Sequence, residues 1–205
     1  RLLAQMAEDF VGRSTITFNA AISSCEKGGV WKPALWLLRE MASDYVERST
    51  ITFNAAISSC EKGREWESVF LLLREMSADR VERNTITLNA AISSCAKGGV
   101  WESALRLLAE MAADCIERNT ITFSAAVSSC EKSGVWEPVL QLLGEMANDR
   151  IERGLITFNA AISSCEKGRV WKPALWLLGQ MASDHVETNA ITFAAAVSSC
   201  EKAQL

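Results

Sequence analysis

The sequence predicts an all-α fold, an α-solenoid of 35-residue helix-turn-helix repeats that stack into a right-handed superhelix. Two observations lead to this class. The segment ITFNAAISSCEKG occurs three times unchanged, at 16–28, 51–63 and 156–168, and looser copies at 86–98, 121–133 and 191–203 keep the same spacing. Within each unit the apolar residues recur with helical periodicity, and a glycine break separates two such patterns.

The first helix of each repeat is predicted from the spacing of its apolar residues. In the first full repeat the i, i+3, i+4, i+7 pattern is met by Phe18, Ala21, Ile22 and Cys25. Thr15 or Thr17 is expected to cap the start through its side-chain oxygen. The glycine pair 28–29 is expected to end the helix, because glycine readily adopts the left-handed conformation there.

The second helix is predicted from about Trp31 to Asp44. Its apolar stripe is expected to comprise Trp31, Leu35, Leu38, Met41 and Ala42, widened by Ala34 and Leu37. The prolines of the chain fall at one register of this helix, Pro33, Pro138 and Pro173. That register is the first turn, where proline is tolerated, so it marks the start of the helix.

These units give one array over residues 1–205. A partial repeat at 1–14 precedes five full repeats at 15–49, 50–84, 85–119, 120–154 and 155–189, and a partial repeat follows at 190–205. Both ends fall partway through a repeat and neither has a polar capping repeat, which predicts a fragment of a longer array.

Composition and cysteine placement restrict the function classes. The chain is 49% apolar and 22% charged, as in a folded protein, and its net charge of −4 argues against indiscriminate binding of polyanions. No apolar run approaches the roughly 18 residues of a membrane span, so no membrane association is expected. Six cysteines recur at one place in successive copies, as small buried side chains would, while Cys115 and His185 lie in linkers. No metal-ligand spacing is present, so neither a metal nor another cofactor is expected.

A second face of the first helix carries a repeated polar line. In the first full repeat Ile16, Asn19, Ser23 and Lys27 lie on one side of the helix. Stacked repeats would align apolar, amide and lysine side chains, which suits a single-stranded nucleic acid with one nucleotide per repeat. The alternative is an ordinary solvated surface, since near-identical copies repeat every residue whether or not it functions. An enzyme is not expected, because catalysis needs a convergent constellation and the repeats offer only recurring ones.

The unit TFNAAISSCEKGG followed by W-x-x-AL-x-LL-x-EM resembles the pentatricopeptide repeat family over essentially all 205 residues. The matching features are the aromatic residue before Asn19, Gly29, the Ala34-Leu35 pair and Met41. The chain departs from the family in the linker, where Tyr45 and Arg48 replace the usual glycine and proline. Tetratricopeptide repeats, with a 34-residue period and a different signature, are the main competitor, so a peptide- or protein-binding helical scaffold is the alternative function.

The resemblance implies four rows of RNA-binding residues. The isoleucine row packs against bases: Ile16, Ile51, Ile86, Ile121, Ile156. The reading row selects the base: Asn19, Asn54, Asn89, Ser124, Asn159. The closing row, the last residue of each repeat, takes part in that selection: Ser49, Asn84, Asn119, Gly154, Asn189. The lysine row lies near phosphates: Lys27, Lys62, Lys97, Lys132, Lys167.

The family's code turns these rows into an expected target. Asparagine with serine or asparagine leans towards pyrimidines, cytosine more than uracil, whereas Ser124 with Gly154 matches no strong pair and Ala194 removes the amide. The expected strand is pyrimidine–pyrimidine–pyrimidine–any–pyrimidine, running 5′ to 3′ from the N- to the C-terminal repeats. The resemblance further implies a role in RNA processing, stability or editing in a mitochondrion or plastid, with protein cofactors of RNA processing as further partners.

Overall fold

The computed structural model describes residues 14–203, and every regular element within that range is an α-helix. The predicted all-α class of repeated helix pairs is therefore confirmed. The first helices of successive repeats are α1 (Thr15–Gly28), α3 (Thr50–Gly63), α5 (Thr85–Gly98), α7 (Thr120–Ser133), α9 (Leu155–Lys167) and α11 (Ala190–Lys202). The second helices are α2 (Trp31–Ser43), α4 (Trp66–Ala78), α6 (Trp101–Ala113), α8 (Glu137–Asn148) and α10 (Trp171–Ser183).

The partial repeat predicted at 1–14 lies, except for Ser14, outside the described residues, and so do the last two residues of the one at 190–205. Contacts divide the chain into two compact units, Arg1–Ser94 and Cys95–Leu205. In the first unit α1 packs against both α2 and α3, and in the second unit α9 packs against α7, α10 and α11. The extent of the array as one domain and the hand of its superhelix stay predictions.

The residue that caps the first helix is Ser14, which corrects the expectation of Thr15 or Thr17. Ser14 is extended (φ −96°, ψ 162°), and its side chain accepts a hydrogen bond from the backbone N–H of Thr17. An N-cap residue must itself be non-helical, whereas Thr15 is already the first helical residue. The Thr17 hydroxyl lies 3.1 Å from the Ser14 hydroxyl, so it supports the cap from inside the helix.

A left-handed residue ends the first helix, as predicted from the glycine pair. Gly29 has φ 64°, and its N–H reaches the carbonyl groups of Cys25 and Glu26. In the second repeat Arg64 takes the same place with φ 62°. A single non-glycine residue in this conformation costs about 1–3 kcal/mol, which the surrounding packing has to offset.

The turn after each second helix also uses a left-handed residue, although this chain lacks the glycine that the family usually has there. The φ angles lie between 54° and 57° at Tyr45, Arg80, Cys115, Arg150 and His185. The N–H group that follows Tyr45, that of Val46, donates to the carbonyl of Met41 at 2.8 Å. The linker therefore keeps one turn geometry in every described repeat despite its varied side chains.

The buried faces follow the helical spacing, with corrections in the second helix. In α3 the buried set includes Phe53, Ala56, Ile57 and Cys60. In α2 the buried residues are Ala34, Leu37, Leu38 and Met41. Of the other residues expected in this stripe, Ala42 is exposed, and Trp31 and Leu35 are half-buried. The buried stripe is thus centred nearer to Leu37 than the sequence pattern indicated.

Two linker arginines connect their own repeat to the next one. Arg48, with 14% of its side chain exposed, forms ion pairs with Glu75 at 3.0 Å and with Asp79, both near the end of the next second helix. Its guanidinium carbon lies 5.2 Å from the centre of the Phe53 ring. Arg118 repeats this arrangement with Glu145, Asp149 and Phe123. These contacts explain why arginine occupies a linker position where the family usually has proline.

Tryptophan at the start of the second helix packs on the end of the next first helix. A Cβ atom placed on Gly63 would lie 2.4 Å from Cδ1 of Trp31, and one placed on Gly168 would lie 2.8 Å from Cδ1 of Trp136. Real Cβ atoms do not approach this closely, so glycine is the residue that leaves room for the indole ring.

Candidate nucleic-acid interface

The isoleucine row lies on the first turn of the first helices and is strongly exposed. The exposed fraction is between 62% and 80% for Ile16, Ile51, Ile86, Ile121 and Ile156. Burial in the core therefore does not account for these side chains. They are available to pack against an apolar or flat surface from outside the chain.

The reading row is half-buried, and three of its asparagines bond to the next repeat. In each of the three, the side-chain oxygen of the asparagine accepts a hydrogen bond from the hydroxyl of the threonine at the third position of the next first helix. The O···O distances are 2.7 Å for Asn19 with Thr52, 2.5 Å for Asn54 with Thr87 and 2.6 Å for Asn159 with Thr192. This role of the threonines was not predicted from the sequence, although a threonine recurs in every copy directly after the isoleucine row.

The closing row caps the following first helix. Asn119 Oδ1 accepts from the N–H of Thr122 at 3.1 Å, and Asn189 does the same for Thr192 at 3.0 Å. Gly154 has no side chain to do this, and α9 begins without a side-chain cap. The closing row therefore has a structural role in addition to the one that the resemblance implies.

The shared threonine brings the reading row and the closing row together. In the first repeat Thr52 bonds to Asn19 and lies 3.1 Å from the hydroxyl of Ser49. In the second repeat the amide nitrogen of Asn54 also lies 3.4 Å from Oδ1 of Asn84. The two residues that the resemblance pairs for base selection are thus neighbours around one hydroxyl group.

The fourth repeat is different because serine replaces asparagine. The hydroxyl groups of Ser124 and Thr157 are 3.0 Å apart, and either can donate. With Gly154 as its closing residue, this repeat offers no side-chain amide to a base at these two positions.

Two members of the lysine row pair with glutamates of the preceding repeat. Nζ lies 3.4 Å from Glu26 Oε1 in Lys62 and 2.9 Å from Glu131 Oε1 in Lys167, and the equivalent Lys202 lies 2.7 Å from Glu166. A serine on the same face joins the cluster, as Ser163 donates to Glu131 at 3.0 Å. These positive charges are therefore offset locally, which was not predicted from the sequence.

One member of the lysine row lacks this carboxylate. Ala96 stands where the other repeats have glutamate, and Lys132 instead donates to the backbone carbonyl of Lys97 at 3.3 Å. The carbonyl is neutral, so the charge of Lys132 is less balanced than that of Lys167. The lysine row is electrostatically uneven even though its sequence is uniform.

Hydrogen bonding lowers the pKa of another glutamate of this face, Glu166. The bond from Lys202 holds the pKa of Glu166 below its ordinary value, opposing the effect of partial burial, and the bond from Ser198 acts in the same direction. Glu166 is therefore ionised throughout the neutral range.

A shallow groove runs between the first helices of the last two repeats. It has a volume of about 450 Å³, and Asn159, Ile191 and Ser198 are among the residues that line it. A reading-row asparagine and an exposed isoleucine of the next repeat thus face the same open space.

Burial raises the pKa of the Cys60 and Cys95 thiols to about 12, and that of Cys130 and Cys165 to about 11. Within residues 14–203 there is no group of three or more His, Cys, Asp or Glu side chains suited to a metal ion. The same range contains no helix long and apolar enough to cross a bilayer.

Comparison with family models identifies the repeat. The pentatricopeptide repeat domain matches residues 36–98, 71–133 and 106–168, and the PPR repeat matches residues 16–46. Together these matches cover most of the chain. No curated protein matches it.

Solved structures of the same family share the fold. The pentatricopeptide repeat protein PPR10 from maize superimposes with a TM-score of 0.73 at 21% identity, over 96% of this chain and 28% of that one. PPR10 in complex with an 18-nt psaJ RNA element gives a TM-score of 0.67 at the same identity and coverage. The PPR domain of Arabidopsis thaliana protein-only RNase P 1, in complex with tRNA, gives 0.75 at 15% identity, over 88% of this chain and 95% of that one.

This chain thus spans little more than a quarter of the PPR10 chain. Its repeats, their helix pairs and the family-model matches agree with one another. The chain belongs to the pentatricopeptide repeat family.

Proposed function

We propose that this chain binds single-stranded RNA at one nucleotide per repeat and prefers pyrimidines. The observation that carries the proposal is the exposure of the isoleucine row beside the half-buried reading row in each repeat. An exposed apolar side chain next to an amide offers a packing surface and hydrogen bonds to the same base. The RNA in the PPR10 complex and the tRNA in the complex of protein-only RNase P 1 lend support by analogy.

The expected strand follows from the reading and closing rows. The first, second, third and fifth full repeats combine asparagine with serine or asparagine and are proposed to take pyrimidines. The fourth, with Ser124 and Gly154, is proposed to accept any base. The strand is proposed to run 5′ to 3′ along the chain.

A titration with fluorescently labelled oligonucleotides tests this proposal. A C-rich strand is expected to bind more tightly than a purine-rich strand of equal length and labelling. Equal affinity would contradict the pyrimidine preference, and binding of peptides but no RNA would favour the helical scaffold alternative. The double variant of Asn54→Ala and Asn84→Ala should lose discrimination at one nucleotide only, whereas a loss at every nucleotide would indicate misfolding.

We also propose that the chain acts by binding rather than by catalysis. The four buried thiols, those of Cys60, Cys95, Cys130 and Cys165, are protonated at neutral pH, so they are poor nucleophiles. Incubation of bound RNA with the chain should return it unaltered in length and base composition. A cleaved or edited strand would overturn this part of the proposal.

The biological setting follows from family membership alone. We propose an organelle, mitochondrion or plastid, and a role in RNA processing, stability or editing with protein cofactors. Immunodetection of the native protein in purified organelles and cytosol checks the compartment. Crosslinking of RNA in the same fractions would identify the transcripts it contacts.

A further inference from the structure

Each reading-row asparagine can offer a base either its carbonyl oxygen or its amino group, and the orientation of the amide decides which. In the second repeat the surrounding bonds determine that orientation. Oδ1 of Asn84 accepts from the backbone N–H of Thr87 at 3.0 Å, and a backbone N–H can only donate. The group of Asn54 that faces this oxygen at 3.4 Å must therefore be its Nδ2 amino group.

The carbonyl oxygen of Asn54 consequently faces Thr87. The hydroxyl oxygen of Thr87 accepts the backbone N–H of Asn84 at 3.3 Å, which leaves its single proton for donation. That proton is directed to Oδ1 of Asn54 at 2.5 Å, with Oδ1 of Asn84 2.9 Å away. Thr87 is fully buried, so water does not compete for its hydroxyl.

We propose that the buried threonines Thr52, Thr87 and Thr192 are positioning residues that determine base selection by the preceding reading-row asparagine. This inference rests on the proposed RNA binding. Each threonine hydroxyl donates a hydrogen bond to the side-chain oxygen of the asparagine, so the asparagine presents its N–H donors to the base. Without that hydroxyl the amide could turn and present an acceptor instead.

The donor pattern in the second repeat suits cytosine. Nδ2 of Asn54 and Nδ2 of Asn84 are both amino groups, and the oxygen atoms of both side chains already accept bonds within the protein. Cytosine has two adjacent acceptors, N3 and O2, on its Watson–Crick edge. Uracil has an N–H donor at N3, which would oppose an amino group of the protein. The threonine thus favours cytosine over uracil at this position.

The fourth repeat provides an internal contrast. There the equivalent threonine, Thr157, faces the hydroxyl of Ser124, and a hydroxyl group can rotate to donate or accept. No group in this pair is restricted to donation, so the fourth repeat should not distinguish cytosine from uracil.

The test replaces Thr87 by valine, which has nearly the same shape but no hydroxyl group. Affinity is measured for two strands that differ only in cytosine or uracil at the nucleotide of the second repeat. In Thr87→Val the cytosine-to-uracil affinity ratio should fall by about fivefold, as expected for one hydrogen bond. Thr87→Ser, which keeps the hydroxyl, should retain most of the ratio.

Thr157→Val is the matched control. Thr157 is buried like Thr87, but its hydroxyl lies 3.0 Å from the hydroxyl of Ser124 and not beside an asparagine. This variant should leave every cytosine-to-uracil ratio unchanged. If Thr87→Val melts below the assay temperature, Thr52→Val makes the same test at the nucleotide of the first repeat.

Three outcomes are distinguishable. A reduced ratio in Thr87→Val, with the ratios of Thr157→Val unchanged, supports the inference. An unchanged ratio in Thr87→Val overturns the inference and leaves the RNA-binding proposal intact. Failure of the unaltered chain to bind either strand overturns the proposed function, and the role of the threonines with it.

Discussion

The ammonium group of Lys62 lies 3.4 Å from the carboxylate of Glu26 and 3.1 Å from the backbone carbonyl of the same residue. Two residues 36 positions apart are thus joined across neighbouring repeats. The pairing explains how a chain of net charge −4 can carry a row of lysines without a strongly positive surface. It also predicts that the lysines contribute unequally to the binding of a polyanion.

Lys132 is expected to contribute more to the salt dependence of RNA binding than Lys62, because Ala96 removes its carboxylate partner. In Lys132→Ala the slope of log affinity against log salt should become shallower by about 0.7, the value for one phosphate contact of a single strand. In Lys62→Ala the change should be smaller. Fluorescence anisotropy titrations at several salt concentrations measure both slopes.

Adding a carboxylate beside one lysine and removing it beside another provides the converse test. Ala96→Glu should pair with Lys132 and weaken binding, while Glu131→Ala should release Lys167 and strengthen it. Both variants leave the lysines in place, so they separate charge pairing from loss of a side chain. Equal slopes in all four variants would show that the lysine row does not meet phosphates.

Arg48 is expected to stabilise the contact between the first two full repeats. Arg48→Ala removes ion pairs to Glu75 and Asp79 and leaves both carboxylates without this partner. The expected loss is about 1.5–3 kcal/mol, typical of hydrogen bonds to charged groups. Chemical denaturation measures it, with the exposed Arg74→Ala as control. A loss equal to that of the control would show that the ion pairs contribute nothing.

Two glycines should respond to alanine with opposite signs. Gly63→Ala places a methyl group against Trp31 and should destabilise the fold by about 1–3 kcal/mol, as overpacking does. Gly144 lies inside α8 with open space around its Cα, so Gly144→Ala should stabilise by about 0.5–1 kcal/mol. Paired thermal melts compare the variants. Similar changes in both would contradict the packing of Trp31 on Gly63.

Cysteine reactivity should report on the stacking of the first helices. Cys60 and Cys130 are buried, and their pKa values of about 12 and about 11 leave almost no thiolate at pH 8. They should react with a thiol reagent only when the repeats open, whereas the exposed Cys115 should react at once. Mass spectrometry of the alkylated chain identifies the order. Early labelling of Cys60 would contradict the packing described for α3.

The period, the helix pair and most of the buried face were predictable from the sequence. Phe53, Ile57 and Cys60 follow a spacing that only one helix face satisfies, and their burial confirms it. The cap at Ser14 was missed because several hydroxyl residues cluster at the start of the helix. Only the backbone conformation distinguishes the residue outside the helix from those within it.

The contacts between repeats could not be derived from one repeat alone. The bond from Thr52 to Asn19 and the pair of Lys62 with Glu26 depend on the offset between successive first helices, which no local pattern specifies. The exposed isoleucines were found because helical periodicity excluded them from the buried face. Their proposed partner came from the family resemblance rather than from spacing.

The hydrogen bonds and ion pairs that join one repeat to the next, as described above, connect residues between 27 and 36 positions apart. When contacts join neighbouring repeats in this way, the free energy of unfolding is a sum of contributions from each repeat and each interface. It does not come from a single core. Its unfolding need not be all-or-none, so end repeats can melt while inner ones stay folded. A single melting temperature would then describe an average over repeats, and hydrogen exchange resolved by residue is the measurement that separates them.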